Sequence, residues 1–231
     1  EEDGRILRAK WSPDGEKIAF LAYDDGQIYV MNPDGLNQIA LIHGGFYGFT
    51  WIWDNNHILF VKQNGIYFDE LTQSYEDAHL YLLNITDGTL VQLTNYVHQC
   101  PAGEFYAQPT WSPVSQQLVF AMGCNHDALA LYMIQADSLD TLLEFDYISL
   151  SKNDDVLHET YYHDIAWSPS GEEIAFIAYI RARRAGDSRS EEIVVMNVPQ
   201  TRISDTPIYQ EITDTPTGID YRYRGLTWII P

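Results

Sequence analysis

Positive charge is scarce in this chain. Thirteen Lys and Arg stand against thirty-three Asp and Glu, a formal net charge of −20. Such a surface repels phosphate backbones and anionic lipid headgroups over about 8 to 10 Å, the Debye length in physiological salt. Nucleic acid and membrane insertion are therefore not expected, and the charge suits a soluble protein working outside the cytoplasm. No run approaches the ~20 consecutive apolar residues that a membrane helix needs. The sequence opens at Glu1 with neither a methionine nor an apolar signal core, so it reads as a processed or excised piece of a longer polypeptide. Cysteine is limited to Cys100 and Cys124. A disulfide between them and two buried free thiols both stay open: a hairpin with residue 124 opposite roughly 106, and a loop through Pro101 and Gly103, would bring Cys100 back to its partner.

Catalytic signatures are missing as well. There is no GxSxG elbow, HExxH pair, CxxC set or glycine-rich phosphate loop, so no catalytic residue is expected. His158 and His163, with Glu159 and Asp164 nearby, are spaced unlike a zinc site, and no metal is assigned to them. Asn153-Asp154-Asp155 could lend oxygens to calcium, although the DxDxDG loop pattern is missing; no cofactor is expected otherwise. Asn84-Ile85-Thr86 fits a glycosylation sequon by accident of a strand sequence. No convincing 3.6-residue period occurs anywhere, which argues against helices.

What the chain does have is repetition. WSPDGEKIAF (11 to 20) returns as WIWDNNHILF, WSPVSQQLVF and WSPSGEEIAF, so that Trp11, Trp51, Trp111 and Trp167 are each followed nine residues later by Phe20, Phe60, Phe120 and Phe176. Turn chemistry lies between the aromatics: Pro13-Asp14-Gly15, Asp54-Asn55-Asn56, Pro113-Val114-Ser115 and Pro169-Ser170-Gly171. Each copy predicts a tight hairpin. A second block, IYVMN, LYLLN, LYMIQ or IVVMN, predicts a third strand, followed by a turn and a weaker fourth. The expected fold class is all-β. Four-stranded antiparallel units that cannot bury both faces alone stack radially as propeller blades, with the repeated Trp as the contact between neighbours. The unit boundaries fall near 5–46, 47–104, 105–160 and 161–220, and Gly225-Leu226-Thr227-Trp228 in 221–231 opens a further copy, so four complete repeats plus the first strand of a fifth are expected as part of a larger propeller.

WSPDGEKIAF followed by QIYVMNPDG resembles the WD40-like repeat of the TolB-type propellers, also present in the propeller domains of prolyl-oligopeptidase-like enzymes. The resemblance is strong in units one and four, fair in unit three and degenerate in unit two. It implies an envelope-associated, extracytoplasmic protein with no membrane insertion, and six blades as the usual complement.

Length varies only in some connections. From the second-strand Phe to the third-strand block the offsets are 8, 20, 11 and 17 residues, and from the end of that block to the next Trp they are 19, 27, 32 and 31. In an up-and-down blade these connections emerge on one face. They carry the residues expected to bind: Tyr47, Tyr67, Phe68, Tyr106, Tyr161, Tyr162, Tyr221, Arg222 and Tyr223, since Tyr offers broad contact area and a hydroxyl at low rotamer cost. The insertion IRARRAGDSRSEE reads as a solvated hairpin tip. The expected function is non-enzymatic binding of a protein or peptide, or scaffolding, through that face. Two alternatives are the substrate-gating propeller of a prolyl-oligopeptidase-like hydrolase and a carbohydrate-binding propeller.

Overall fold

The computed structural model describes residues 6–22, 26–44, 46–67, 75–94, 104–124, 129–144, 147–150, 160–180, 190–198 and 209–211. They form four antiparallel units in chain order. The first is β1(Ile6–Trp11), β2(Ile18–Ala22), β3(Gln27–Met31) and β4(Ile39–His43); the second is β5(Phe46–Trp51), β6(His57–Tyr67), β7(Tyr75–Asn84) and β8(Leu90–Gln92). The third is β9(Glu104–Ser112), β10(Gln117–Cys124), β11(Leu129–Gln135) and β12(Tyr147–Ser149), and the fourth is β13(Thr160–Trp167), β14(Glu173–Ile180), β15(Ser190–Asn197) and β16(Tyr209–Glu211). Units two and three are joined by one parallel bridge, Ala78 to Phe105.

The hairpin register follows from the turn. Trp11, Trp51, Trp111 and Trp167 lie opposite Ile18, Ile58, Leu118 and Ile174. In the WSP copies the buried serine after Trp ties the turn: the Ser12 hydroxyl donates to Asp14 Oδ1 (2.6 Å) and accepts from the Lys17 N–H (2.9 Å). The Ser12 hydroxyl, and after it the Glu16 N–H, hold the Asp14 carboxyl below the usual carboxylate range. Unit two has no serine there, and Asp54 takes over by accepting from the N–H groups of Asn56 and His57 (both 3.0 Å). Each turn needs one left-handed residue, supplied by Gly15, Asn55, Gln116 and Gly171.

Gly171 is doubly constrained. Its φ is +72°, and a Cβ added to it would sit 3.0 Å from Ser112 Oγ and from Val114 Cβ in the neighbouring unit. Gly171→Ala is expected to cost about 1–3 kcal/mol. Gly15→Ala, with the same φ but open space around it, should cost about 1 kcal/mol. Urea unfolding of the two variants checks the difference, which measures how tightly adjacent turns are seated.

Across the second and third strands the repeated Phe meets a repeated Tyr. Phe20 pairs with Tyr29, Phe60 with Tyr81 and Phe120 with Tyr132, their rings stacked at centroid distances of 5.2, 5.8 and 5.9 Å. In unit four Val194 stands opposite Phe176.

The sheets stack face to face around an axis, as alternation along one strand demonstrates. On β6, Ile58 and Phe60 enter an apolar cluster with Ala19, Leu21, Ile28 and Val30 of unit one. Leu59 and Val61 enter the other cluster, shared with units three and four. Successive residues of a strand point to opposite faces, so unit two is buried on both sides. The repeated Trp lies in these interfaces in units two, three and four. Two of the indoles also donate to the preceding unit: Trp51 Nε1 to the Lys10 carbonyl (3.0 Å) and Trp167 Nε1 to the Thr110 carbonyl (3.1 Å). Trp11 departs from the expected role. It is 58% exposed.

Two further expectations need correction. Residue 124 lies opposite Glu104, not roughly 106: the hairpin register alone places it opposite 105, and an extra residue of β9 opposite Phe120 moves it one further. Pro109, which has no N–H to give a ladder, falls in that irregularity. Cys100 is outside the described residues, so its pairing with Cys124 is too. A helix is also present: α1(Leu139–Glu144) connects β11 to β12. Ser138 caps it by accepting from the Thr141 N–H (3.2 Å), while the Thr141 hydroxyl accepts from the Ser138 N–H (3.1 Å), and Leu142 is buried. One and a half turns with a single buried apolar residue is too short to register as a periodicity.

Candidate functional site

The two ends of the axis differ. At one end the first-to-second turns are short, and the residues that leave the third strand are bonded to them: Ile85 donates to Asn56, Ala136 to Gln116 and Val198 to Glu172 through main-chain groups at 2.8–3.0 Å. The third-to-fourth connection is a short turn in units one and two and carries α1 in unit three. The Asp14 N–H donates to Asn55 Oδ1 (2.9 Å), linking the turns of units one and two. Asn84 Oδ1 accepts from Asn56 Nδ2 and from the Thr86 N–H at this end, so the sequon asparagine serves as a turn-binding group.

At the other end the second and third strands run on. β6 and β7 stay paired as far as Tyr67 opposite Tyr75, β10 and β11 as far as Gly123 opposite Leu129, and β14 and β15 as far as Ile180 opposite Ser190. The connections read from sequence as loops are thus largely extended ribbons. Gln63 to Tyr67 continue a ladder whose register the blade already sets, across one irregularity between Gln63 and Gly65.

The first strands β1, β5, β9 and β13 lie beside one another in succession, and each carries an extra residue. The ladder shifts between Ile6 and Arg8, between Phe46 and Gly48, opposite Phe120, and between His163 and Ala166. A bulge bends its strand and re-aims side chains. It recurs two to four residues before each Trp, in the ribbon-end half of β1 and β5 and near the middle of β9 and β13. Asp164, in the fourth bulge, has φ +53°.

Side chains at that level define the site. Three residues before Trp the repeat holds Arg8, Gly48, Gln108 and Asp164, and one residue before it Lys10, Thr50, Thr110 and Ala166. Unit one alone is cationic at both positions. Arg8 reaches across to Asp164, with Nη2 3.5 Å from Oδ1 and side-chain exposures of 35% and 15%; it is the one ion pair between units among the described residues. Lys10 is half-buried. Burial first, then the repulsion of Arg8, lowers its pKa to about 8, partly offset by Asp164, so its ammonium is still mostly protonated at neutral pH.

Of the aromatic candidates, Tyr47 lies in the β5 bulge, Tyr106 on β9 opposite Met122, and Tyr161 and Tyr162 on β13 opposite Tyr179 and Ala178. Tyr67 ends the β6 ribbon. All five are on strands, not loops, and all lie in the ribbon-end half of their strands. Phe68, Tyr221, Arg222 and Tyr223 are outside the described residues, as are Asn153-Asp154-Asp155, His158 and most of the Arg-rich insertion. Among the described residues no three His, Cys, Asp or Glu side chains converge as metal ligands, and no helix is long and apolar enough to cross a membrane. Arg8 and Lys10 went unnoticed in the sequence. The available signal was their departure from the other three repeats at positions that no turn or core requirement explains.

No protein-family model and no curated protein matches the sequence. Similar solved structures are found. TolB from Acinetobacter baumannii superposes with a TM-score of 0.60 at 15% identity, over 92% of this chain and 44% of its own. The fold is a TolB-like β-propeller. An auxiliary nutrient binding protein from Bacteroides thetaiotaomicron gives 0.58 at 12% identity over 92% of this chain and 44% of its own, and a prolyl endopeptidase gives 0.56 at 15% identity over 92% and 29%. The TolB-like chain described here spans less than half the length of each.

Proposed function

We propose that this chain is a non-enzymatic recognition propeller that holds a protein or peptide partner at the ribbon end of its axis, in an extracytoplasmic setting. The observation that carries the reading is the asymmetry of the two ends. At one end the short first-to-second turns are bonded to the chain leaving each third strand in units two to four, while the other combines extended ribbons with a run of Tyr positions. Recognition residues concentrate where a rigid scaffold presents variable connections, and Tyr and Arg dominate binding energy at such surfaces. The similarity of the fold to TolB and to a nutrient binding protein supports binding or scaffolding.

The test is selection of displayed random peptides on the immobilised chain. Substituting Tyr47, Tyr106 and Tyr162 together by alanine should weaken the selected peptides at least tenfold, and Val114→Ala on the short-turn end should leave them unchanged. Peptides that tolerate the triple substitution but lose affinity at the short-turn end would overturn the assignment. An empty selection accompanied by enrichment on a glycan array would replace it with carbohydrate binding.

A further inference from the structure

From the axis we infer a carboxylate-binding site formed by Arg8 and Lys10, in which Asp164 occupies the place of the ligand's carboxylate. The inference deepens the reading above and rests on it for the identity of the partner: a peptide presenting a carboxylate, either a free C-terminus or an acidic side chain.

Arg8 and Lys10 are two residues apart on one strand beyond its bulge, so they share a face, about 6.6 Å apart along the chain at the usual strand rise. A carboxylate is small enough to lie between a guanidinium and an ammonium so spaced. Asp164 already does part of this, because its carboxylate meets Arg8 across the axis from a strand more than 150 residues away in sequence. At 3.5 Å the pair is longer than the 2.7–2.9 Å of a charge-assisted hydrogen bond. Among the described residues no carboxylate lies within ion-pair distance of Lys10. The three side chains together carry one net positive charge in a chain of net charge −20. That balance favours a single carboxylate and opposes a polyanion, which the surrounding protein would repel. The cations also stand where the other repeats hold uncharged residues or an acid, so the propeller fold does not demand them.

The chain contains four lysines, Lys10, Lys17, Lys62 and Lys152, which makes a direct spectroscopic test practical. Lysine dimethylation with carbon-13 keeps the charge and gives one resolved methyl signal per side chain. Lys10 is assigned by its loss in Lys10→Arg. The probes are acetylated tetra-alanine with a free C-terminus, its amide, and an acetylated Ala-Ala-Glu-Ala amide. The Lys10 signal is expected to shift with both carboxylate peptides and not with the amide, while Lys17 and Lys62 stay in place. Asp164→Asn keeps a residue that tolerates positive φ and removes the competing carboxylate, so half-saturation should fall at least threefold. A Lys10 signal that stays still with the carboxylate peptides, or moves equally with the amide, would overturn the site. So would an unchanged midpoint in Asp164→Asn. A Lys10 response combined with an empty peptide selection would sink the partner reading alone; selected peptides that ignore Lys10 would sink the carboxylate site alone.

Discussion

Trp51→Ala should lower the unfolding free energy by about 4 kcal/mol, whereas Trp11→Ala should change it by less than about 1 kcal/mol. The two residues occupy the same place in consecutive repeats, so the contrast isolates what a neighbouring sheet contributes. Trp51 is 3% exposed, packed with Phe49, Ile58 and Phe60 against unit one, and its indole N–H satisfies the Lys10 carbonyl. Truncation leaves a cavity in that interface and removes the carbonyl's indole donor. Trp11 is mostly in water already. Trp51→Phe retains the apolar contact but loses the hydrogen bond, at about 1–2 kcal/mol. Trp111→Phe should be close to neutral by comparison, because the buried Trp111 Nε1 has no hydrogen-bond partner among the described residues and Trp53 still packs against the position, the two rings tilted by 39° with centroids 4.7 Å apart. Urea midpoints for the series, with the slope shown to be constant, give the ranking. Equal losses for Trp11 and Trp51 would mean that the first indole is buried in solution. Because Lys10 accepts from Trp51, the Trp51 variants should also disturb the lysine methyl signal, tying the blade interface to the axis.

Phe60→Ala should cost about 4 kcal/mol. Phe60 is completely buried at the centre of unit two and stacks on Tyr81 across the strand pair. A double-mutant cycle separates the ring contact from the burial. Phe60→Leu should cost about 1 kcal/mol more in the presence of Tyr81 than in Tyr81→Leu, the worth of an aromatic pair beyond its area. Chemical denaturation measures both, and an equal cost would show that the Phe–Tyr stack contributes only area.

Among the features that decide function, some were legible and others were not. The end that carries the variable connections could be read from offsets alone, because strand direction alternates and an even number of reversals returns the chain to the same side. That these connections are ribbons could not, since whether residues 63 to 67 pair with 75 to 78 depends on a ladder already established by Phe60 and Tyr81. The aromatic positions were found for their composition. The charged ones, Arg8, Lys10 and Asp164, were passed over because nothing local distinguishes a charge that faces water from one that faces an axis.

The sequence by itself determined the repeat, the hairpins and the pairing of each repeated Phe with the third strand, because turn chemistry, alternation and a nine-residue spacing act within a few tens of residues. Tertiary structure alone decided the bulge in every first strand, the exposure of Trp11 and the meeting of Arg8 with Asp164. Those depend on how many twisted sheets surround the axis and at what angle, and contacts between residues more than 150 positions apart leave no local trace in the chain.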